Sequence, residues 1–426
     1  MRPKVSIIMP SLNVADYIGE AIKSAREQTI RDIEIISVDA GSTDGTVDII
    51  SKAVAKDDRI IALQSPIKSY GFQVNMGIEK AIGEYIAILE TDDFISLDMC
   101  EILYKIASKE DLDYVKSDYD AYITDAYGER VFTRRNITDN KLFYQSVFVP
   151  MEHPIEMSND SYLWNGIYKT SFLKEKRIRF SETSGAAFQD VGFLHRVKAV
   201  AKRVRYVDQS LYRYCTDRDG ASSNTGKSLI YLRQEYGFLV DAISCDDEKR
   251  LLYTRMARAF CRACMESAED FLESVQGREI LTWFVDLLHM ASCDGHVSYE
   301  TLPDALKMTY KSVTDSIDKY VELRKNRKYE FKKFLTEGSP IIIFGCGIYG
   351  REAERYIREI GFKAEYFMDN AESTWNTTVN GITVVSPNKL VELTSDARVI
   401  VANEKHGQEI YEQIKKMNSK VKVIFY

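Results

Sequence analysis

The stretch that decides the fold is Tyr85-Ile86-Ala87-Ile88-Leu89-Glu90-Thr91-Asp92-Asp93, in which five apolar or aromatic residues lead directly into three carboxylates. A short apolar run of this length, bounded by polar residues, predicts a buried strand. Carboxylates at the end of a buried strand are costly unless another group neutralises their charge. This stretch therefore predicts a strand that ends at a charged edge of a sheet.

Three similar units precede this stretch, each with an apolar strand, a polar loop and a helical pattern. Predicted strands cover residues 5–9, 33–38 and 60–63, and predicted helices cover residues 17–28, 46–55 and 75–81. Such alternation specifies an α/β protein with a mostly parallel sheet and helices on both faces. Ligands of these sheets bind beyond the carboxyl ends of the strands. We therefore expect the loops 10–13, 39–44 and 90–93 to converge on one crevice.

The composition changes after residue 226. Residues 227–338 are rich in Leu, Met, Arg, Glu and Lys and contain few β-branched runs, which predicts helices. The chain then returns to strands, predicted at residues 341–344, 364–368, 399–402 and 421–425. We predict three domains: residues 1–226, a helical linker or interaction domain at 227–338, and a small Rossmann-like α/β domain at 339–426.

A glycine motif opens the last of these domains. Gly345, Gly347 and Gly350 lie between a predicted strand and a predicted helix, and Asp369 follows near the end of the next strand. This spacing and context fit a dinucleotide-binding fingerprint. The domain is short for two mononucleotide-binding halves, however, and no set of hydride-transfer residues lies nearby. Nucleotide or nucleotide-sugar binding stays open, while a structural or partner-docking module is favoured.

The overall charge and hydropathy exclude several classes of protein. The 426 residues have a formal net charge of −7, which argues against nucleic-acid binding because phosphate backbones call for a concentrated basic surface. There is no apolar run of 18 residues, and the N-terminus leads straight into a strand instead of a signal peptide. We expect a cytoplasmic protein. Peripheral association with the inner face of the membrane and homo-oligomer formation through the helical or C-terminal region stay open.

The cysteines indicate a reducing environment. There are seven of them, an odd number, and the one closely spaced pair is Cys261 and Cys264. This pair lies in a helical pattern, where its spacing puts both sulfurs on one face. No second pair completes a zinc site. We expect reduced thiols that pack on a helix face.

The acidic stretch suggests a divalent cation. Mg²⁺ and Mn²⁺ prefer oxygen ligands, and proteins usually hold them with one or two carboxylates plus substrate phosphates and water. A diphosphate-linked substrate would supply those phosphates. Taken alone, residues 90–93 also fit a pair of helix N-cap residues after a strand. Their meaning therefore depends on the other motifs.

Those motifs, taken in order, resemble glycosyltransferase family 2. The similar stretches are residues 5–13, 38–46, 70–77, 81–86, 90–93, 164–168 and 189–193, which together extend over roughly residues 4 to 225. The resemblance implies an A-type, nucleotide-diphospho-sugar transferase fold for the N-terminal domain. It also implies an inverting, metal-dependent glycosyltransferase that takes a sugar from a nucleotide-sugar donor. The last two stretches resemble the acceptor side of a bacterial subgroup, so the acceptor would be a glycan or a lipid-linked sugar of a surface polysaccharide or glycolipid.

The resemblance also implies roles for individual residues. Asp39 would accept hydrogen bonds from the nucleotide base, Asp92 would bind Mn²⁺ or Mg²⁺, and Asp190 would be the catalytic base. Either Glu90 or Asp93 would support the ribose or the metal. The other residues predicted to contact substrate are Pro10, Ser11, Asn13, Gly71, Asn75, Thr91, Trp164, Gln189 and Arg213.

Two of these substrate contacts have equally good structural explanations. Asn75 fits a donor-phosphate contact or a cap of the following helix, and Arg213 fits a phosphate contact or an ordinary surface arginine.

The sequence departs from the family pattern at two positions. Ala40 stands where a second Asp is common, and Glu90 replaces the usual first Asp of the acidic motif. Asp39 favours a uracil donor because a carboxylate can accept the imide hydrogen, although other bases with N–H groups fit too. Two further functions stay open: a catalytically silent scaffold that binds sugar nucleotides, and an NAD(P)-dependent oxidoreductase that uses the C-terminal glycine motif.

Overall fold

The computed structural model describes residues 2–124, 129–216, 228–243, 245–403 and 406–426. The chain forms two compact units, one made of residues 1–123 and 132–317 and the other of residues 124–131 and 318–426. The predicted domain limit between residues 226 and 227 lies outside the described residues. The helices between this limit and residue 317 belong to the first unit, and the division into three domains stays a prediction.

The first unit is built around one large sheet. Its strands are β1 Val5–Ser11, β2 Ile33–Asp39, β3 Ile60–Gln64, β4 Tyr85–Ile88, β5 Phe94–Ile95, β6 Tyr114–Thr124, β7 Arg130–Arg135, β8 Gly166–Lys169 and β9 Val204–Cys215. Its helices are α1 Ile18–Arg26, α2 Thr46–Val54, α3 Tyr70–Lys80, α4 Met99–Glu110, α5 Leu142–Gln145, α6 Pro154–Met157, α7 Thr170–Glu175, α8 Gln189–Val200, α9 Ser228–Val240, α10 Asp246–Glu266, α11 Glu269–Glu273, α12 Val275–Cys293 and α13 Asp304–Asp315.

The strand order is β3-β2-β1-β4-β8-β6-β9-β5, and β7 pairs with β6 off this path. The first four strands are parallel, as the alternation of strands and helices predicts. The rest of the sheet is mixed: β8 is antiparallel to β4 and β6, β5 is antiparallel to β9, and β6 and β9 are parallel. The prediction of a mostly parallel sheet therefore holds only as far as β4, because the regular alternation ends after α4.

Central strands of the parallel half are buried along their whole length, as expected when helices cover both faces of a sheet. Helix α3 lies very close to β1. A Cβ atom on Gly77 would sit 2.4 Å from Cγ2 of Ile8, so a larger residue would push the helix away. Gln73 of the same helix donates to the Ser11 and Val38 carbonyls, which places the start of α3 beside the carboxyl ends of β1 and β2.

Two predicted boundaries near the ligand edge are wrong. Pro10 and Ser11, predicted to form a loop, are the last residues of β1. The helix predicted to start at Asn75 begins at Tyr70, because the Ser69 hydroxyl caps it by accepting a hydrogen bond from the Phe72 N–H at 3.2 Å. Asn75 therefore lies within α3 and cannot be its cap.

The helical character predicted after residue 227 is confirmed by α9 to α13 and by α14, Ile317–Thr336. Cys261 and Cys264 are free thiols, fully buried on α10, as their spacing predicts. Among the described residues, none of the helices combines the length and the apolar composition that crossing a membrane requires.

The second unit contains α14 and a smaller sheet. Its strands are β10 Ile341–Phe344, β11 Tyr366–Met368, β12 Thr378–Val379, β13 Ile382–Val385, β14 Arg398–Val401 and β15 Lys422–Phe425, and its other helices are α15 Ile348–Glu359 and α16 Gly407–Met417. The strand order is β12-β13-β11-β10-β14-β15, with only β12 and β13 antiparallel. Four of these strands match predictions. The missed hairpin of β12 and β13 turns at Asn380 and Gly381, which both have positive φ as a tight hairpin turn requires.

Candidate active site

Asp39 ends β2 and lies opposite Ser11 at the end of β1. Its carboxylate is 5% exposed and accepts hydrogen bonds from the backbone N–H groups of Gly41 and Ser42 at 2.9 and 2.8 Å. It also accepts bonds from the hydroxyls of Ser11 at 2.9 Å and Ser42 at 2.6 Å. A carboxylate has about four acceptor positions. Contact between Asp39 and a nucleotide base would therefore require one of the two serine hydroxyls to turn away.

The two loops beside Asp39 hold each other in place. The side chain of Asn13 accepts a hydrogen bond from the Thr43 N–H at 2.9 Å, and the Asn13 N–H donates to the Ser42 hydroxyl at 2.8 Å. Asn13 adopts a positive φ of 53°, which Asn tolerates better than most residues. Gln73 of α3 donates to the carbonyls of Ser11 and Val38 at 2.8 and 2.7 Å. The predicted contacts Ser11, Asn13 and Asp39 therefore form one rigid edge.

Successive residues of the acidic stretch after β4 alternate between partly exposed and buried positions. Thr91 and Asp93 are buried, whereas Glu90 and Asp92 are partly exposed. The Thr91 hydroxyl donates to the Pro10 carbonyl at 2.9 Å, which ties the stretch to the end of β1. This alternation leaves Glu90 and Asp92 as the two carboxylates available to a ligand at the ends of the parallel strands.

Asp93 has a structural role. Its carboxylate accepts hydrogen bonds from the Tyr212 hydroxyl at 2.9 Å and from the Cys215 N–H at 2.8 Å, both on β9. Burial and the neighbouring Asp92 carboxylate hold the pKa of Asp93 well above its usual range. The same Tyr212 hydroxyl accepts a bond from the Glu90 N–H at 3.2 Å. Of the two residues predicted to support the ribose or metal, the geometry favours Glu90 over Asp93.

Tyr70 connects the acidic stretch to Asp190. Its hydroxyl donates to Glu90 at 2.5 Å, and burial, then the charge of Glu90 and then that of Asp190 raise the pKa of this phenol well above its usual range. Asp190 lies in the first turn of α8 and is partly exposed. Desolvation raises the pKa of Asp190 above that of an ordinary Asp. The structure thus brings Asp190 into electrostatic range of a residue in contact with the acidic stretch, although about a hundred residues separate them in the sequence.

The loop that precedes α8 and leads to Asp190 is anchored to α3. The Tyr70 N–H donates to the Gly185 carbonyl at 2.8 Å. A Cβ atom on Gly71 would lie 1.9 Å from the Ser181 carbonyl oxygen, so this position requires glycine for packing alone. The Gln189 side chain donates to the carbonyls of Thr183 and Gly185 at 2.9 and 3.2 Å. Gly71 and Gln189, predicted as substrate contacts, are thus explained by the support they give to this loop.

Asn75 also serves the loop that leads to Asp190. Its amide donates to the Phe180 carbonyl at 3.0 Å and to Glu182 at 2.9 Å, and its oxygen accepts a hydrogen bond from the Phe180 N–H at 3.0 Å. Because Asn75 is 2% exposed and bonded on both sides of its amide, the structure favours a positioning role over a phosphate contact.

Trp164 is an interior residue at 6% exposure. Its ring stacks on Tyr212 with centroids 4.2 Å apart and on Tyr214 at 5.0 Å, and it lies 4.8 Å from the more exposed Tyr162. Arg213 lies 3.2 Å from Asp120 and donates to the Ser210 carbonyl at 2.8 Å. Trp164 therefore forms the inner part of an aromatic cluster whose outer members, including Tyr162, face solvent, and Arg213 already has a carboxylate partner.

The donor set at this edge fits a hard divalent cation. Glu90 and Asp92 offer carboxylate oxygens on the partly exposed side, and a diphosphate would complete the shell of Mg²⁺ or Mn²⁺. The charges of Asp92 and Glu90 also contribute to the raised pKa of Asp93, which shows that negative charge accumulates here. Within the described residues, the protein alone brings together no group of three or more potential ligands, so the site would depend on substrate phosphates.

The sequence assigns no role to Tyr70, which lies at the start of the stretch 70–77, and it does not predict that the Tyr212 hydroxyl joins Glu90 to Asp93. A phenol within a helix or strand carries no local signal of a functional contact. Their roles follow from the packing of α3 and β9 against the acidic stretch.

The C-terminal glycine motif has the predicted strand, loop and helix. Gly345 has a φ of +107°, and a Cβ atom on Gly350 would lie 1.8 Å from the Gly345 carbonyl oxygen. The Asp369 carboxylate accepts hydrogen bonds from the N–H groups of Cys346 and Ala371, both at 2.9 Å. Asp369, the acid that would contact the ribose of a dinucleotide, therefore stabilises the glycine loop through hydrogen bonds. The structure adds no support for an oxidoreductase.

Comparison with known proteins agrees with this picture. The family model of glycosyl transferase family 2 matches residues 6–163, and a second model, described as C2185-like, N-terminal, matches residues 338–424. Glycosyltransferase GlyG of Streptococcus pneumoniae serotype 4 is 28% identical over 239 residues, which cover 55% of this chain and 77% of GlyG. The EpsH glycosyltransferase of Bacillus subtilis is 31% identical over 217 residues, which cover 50% of this chain and 60% of EpsH.

The fold is also that of a solved glycosyltransferase. The crystal structure of residues 1–349 of S. aureus TarS superposes with a TM-score of 0.53 at 18% identity, covering 77% of this chain and 92% of the TarS chain. Together with the ordered motifs and the carboxylates at the strand ends, these matches define an A-type fold in the first unit. Residues 6–163 therefore form a glycosyltransferase family 2 domain, and the curated relatives support a glycosyltransferase.

Proposed function

We propose that the protein transfers a sugar from a UDP-linked donor to an acceptor hydroxyl, with inversion at the anomeric carbon and with help from Mg²⁺ or Mn²⁺. The observation that carries this proposal is the convergence on Tyr70. This phenol contacts Glu90 of the acidic stretch and lies within electrostatic range of Asp190, which supports one site that contains both a donor-side and an acceptor-side carboxylate.

The donor side consists of the edge formed by Ser11, Asn13, Asp39 and the acidic stretch. Asp39 would contact the uracil imide after one serine hydroxyl turns away, and Glu90 would support the ribose or the metal. TarS, whose fold this unit shares, has been crystallised in complex with UDP and with UDP-GlcNAc, which supports a uridine diphosphate leaving group here.

Asp92, together with Glu90, would hold the cation between the protein and the diphosphate. The bound cation would stabilise the negative charge that grows on the leaving diphosphate. Glu90 and Asp92 follow the end of β4, beside the donor edge, so the diphosphate and its growing negative charge would lie there. Asp93 would support the site instead of the chemistry, because its carboxylate binds Tyr212 and Cys215 of β9.

Asp190 would accept the proton of the acceptor hydroxyl. The acceptor oxygen then bonds to the anomeric carbon as the bond from that carbon to the diphosphate oxygen breaks on the opposite side, and one base suffices for this single displacement. The raised pKa of Asp190 favours proton uptake, since a base whose pKa lies nearer the working pH accepts a proton more readily.

We propose a glycan or a lipid-linked sugar of a bacterial surface polysaccharide as the acceptor. The solvent-facing Tyr162, at 36% exposure, offers an aromatic face on which a sugar ring can stack, and the buried Trp164 holds it in place. GlyG and EpsH, both named as glycosyltransferases, are bacterial proteins, which supports this class of acceptor.

The proposal is tested by measuring the binding of UDP and of a panel of UDP-, GDP- and dTDP-sugars to the full chain, by calorimetry and thermal shift, with Mn²⁺ and with EDTA. We expect UDP compounds to bind, to raise the melting temperature, and to do so more strongly with Mn²⁺. Equal UDP affinity in EDTA would contradict the proposed metal dependence. A preference for GDP or dTDP compounds would contradict the proposed UDP-linked donor.

A further inference from the structure

Arg255 is a buried cation on α10 whose role the proposed reaction does not yet include. It is 5% exposed, and its Nη1 atom has no hydrogen-bond partner among the described residues. Burying a guanidinium is costly unless a nearby opposite charge compensates for the lost hydration. The surroundings of Arg255 should therefore contain a carboxylate that benefits from its charge.

Helix α8 brings such a carboxylate. Arg255 lies in electrostatic range of Asp190 and of His195, both on α8, and of Tyr236 on α9. Helices α8 and α10 are joined directly, because His195 Nε2 lies 3.4 Å from a Glu248 carboxylate oxygen. The positive charge of Arg255 opposes the effect of burial on Asp190.

The other buried cations of this region are already paired. Lys116 contacts Asp160, and Lys198 lies 3.5 Å from the same carboxylate, which also accepts a hydrogen bond from Tyr206 at 3.0 Å. Burial lowers the pKa of Lys198 well below its usual range, and its ammonium donates to the Met157 carbonyl at 2.9 Å. Arg255 is therefore the cation of this cluster best placed to stabilise negative charge on Asp190.

Helix α9 presents a group with the opposite effect. Glu235 is 1% exposed, receives a hydrogen bond from the Ser181 hydroxyl, and lies against the first turn of α8, where its Oε2 would be 2.7 Å from a Cβ atom on Gly192. Burial, with a contribution from the charge of Asp190, raises the pKa of Glu235 to about 6. Among the described residues, the charged and titratable groups in electrostatic range of Asp190 include Tyr70, Glu235, Tyr236 and Arg255.

We infer that Arg255 is a positioning residue that keeps the Asp190 carboxylate ionised and able to accept a proton, so that helices α9 and α10 complete the transfer site. The inference rests on the proposed role of Asp190 as the base. It assigns a function to a helical segment that the sequence describes only as a linker or interaction region. The negative charge of Glu235 has the opposite effect, because it disfavours the ionised form of the Asp190 carboxylate.

The test is the pH dependence of UDP release from UDP-GlcNAc by the full-length protein, measured from pH 5.5 to 9.5. In Arg255→Met the base stays protonated to higher pH, so we expect turnover about tenfold below wild type at pH 6 and recovery as the pH rises, the size expected from losing one nearby opposite charge. Arg255→Lys keeps the charge and should restore much of the wild-type profile. Glu235→Gln should move the acidic limb to lower pH. An equal loss at every pH, or shifts of Arg255→Met and Glu235→Gln in the same direction, would overturn the inference.

Asp190→Asn separates this inference from the proposed function. If Asp190→Asn is nearly inactive while Arg255→Met leaves the pH profile unchanged, the inference about Arg255 is wrong and the base assignment stands. If Asp190→Asn turns over normally, the base assignment is wrong.

A double-mutant cycle of Arg255→Met and Asp190→Asn in thermal unfolding tests the coupling without any substrate, and the uncharged Arg255→Gln replaces Arg255→Met in it should the latter not fold. We expect the effects of the two substitutions on the melting temperature to be non-additive at pH 8 and nearly additive at low pH, where Asp190 is protonated. Additivity at both pH values would overturn the inference.

Discussion

The two sheets use the same arrangement of strand, loop and helix, but they treat the acids at their strand ends differently. After β4, the chain buries Thr91 and Asp93 and leaves Glu90 and Asp92 partly exposed at the ligand edge. After β11, both oxygens of Asp369 accept backbone hydrogen bonds, one from Cys346 of the glycine loop and one from Ala371. An acid at the end of a parallel strand is therefore available to a ligand only when the surrounding loop does not use it.

Asp39, in the first sheet, is an intermediate case between the acids after β4 and Asp369. Four donors from its own edge occupy its carboxylate, two of them rotatable hydroxyls and two backbone N–H groups. Hydroxyls can turn towards other acceptors, whereas the backbone groups that hold Asp369 cannot. The availability of a strand-end acid thus depends on what donates to it as well as on how exposed it is.

The largest effect is expected at Asp190, the proposed catalytic base. Asp190→Asn keeps the size of the side chain but cannot accept a proton, so transfer should fall by about 10²–10⁴ while donor binding stays nearly unchanged. Single-turnover transfer and calorimetry with UDP check the two parts. Lost donor affinity would instead assign Asp190 to the nucleotide side.

A matched pair of substitutions tests the comparison directly. Asp92→Asn should remove the part of UDP affinity that depends on Mn²⁺, about 10–100-fold, because the cation loses a charged ligand. Asp369→Asn should leave UDP affinity unchanged. Calorimetry with UDP, in Mn²⁺ and in EDTA, measures both variants.

The comparison fails in two ways. If Asp369→Asn weakens UDP binding, the glycine loop of the second unit takes part in nucleotide binding after all. If Asp92→Asn binds UDP normally in Mn²⁺, the acidic stretch after β4 does not hold the cation.

The smallest effect concerns the stability of the glycine loop. Gly350→Ala would bring a Cβ atom against the Gly345 carbonyl, so we expect the free energy of unfolding to fall by about 1–3 kcal/mol. Gly347→Ala is the control, because no atom lies within 4 Å of its added Cβ and its φ is −72°. Urea unfolding followed by circular dichroism compares the two. A larger loss for Gly347→Ala would show that the loop is packed differently.

Much of the fold follows from local patterns. The parallel half of the first sheet, the helical segment after residue 227 and the strands at 341–344 and 421–425 come from apolar periodicity and from the turns between elements. The antiparallel strands after β4 could not be predicted in this way, because their order depends on long-range pairing. Asn75 and Gly71 illustrate the same limit at the site: their motif is recognisable, but their partners at residues 180–182 lie about a hundred positions away.

The sequence by itself determined the order of strands, loops and helices as far as β4, the acidic end of β4 and the family that the ordered motifs resemble. It did so because burial periodicity and charged strand ends are local properties of the chain. The tertiary structure decided which strand-end acids are buried, that Tyr70 donates to Glu90 within electrostatic range of Asp190, and that Arg255 of a distant helix lies in electrostatic range of Asp190. These relations depend on close packing between elements far apart in the sequence, and the charge interactions they create act only at the short distances that folding brings about.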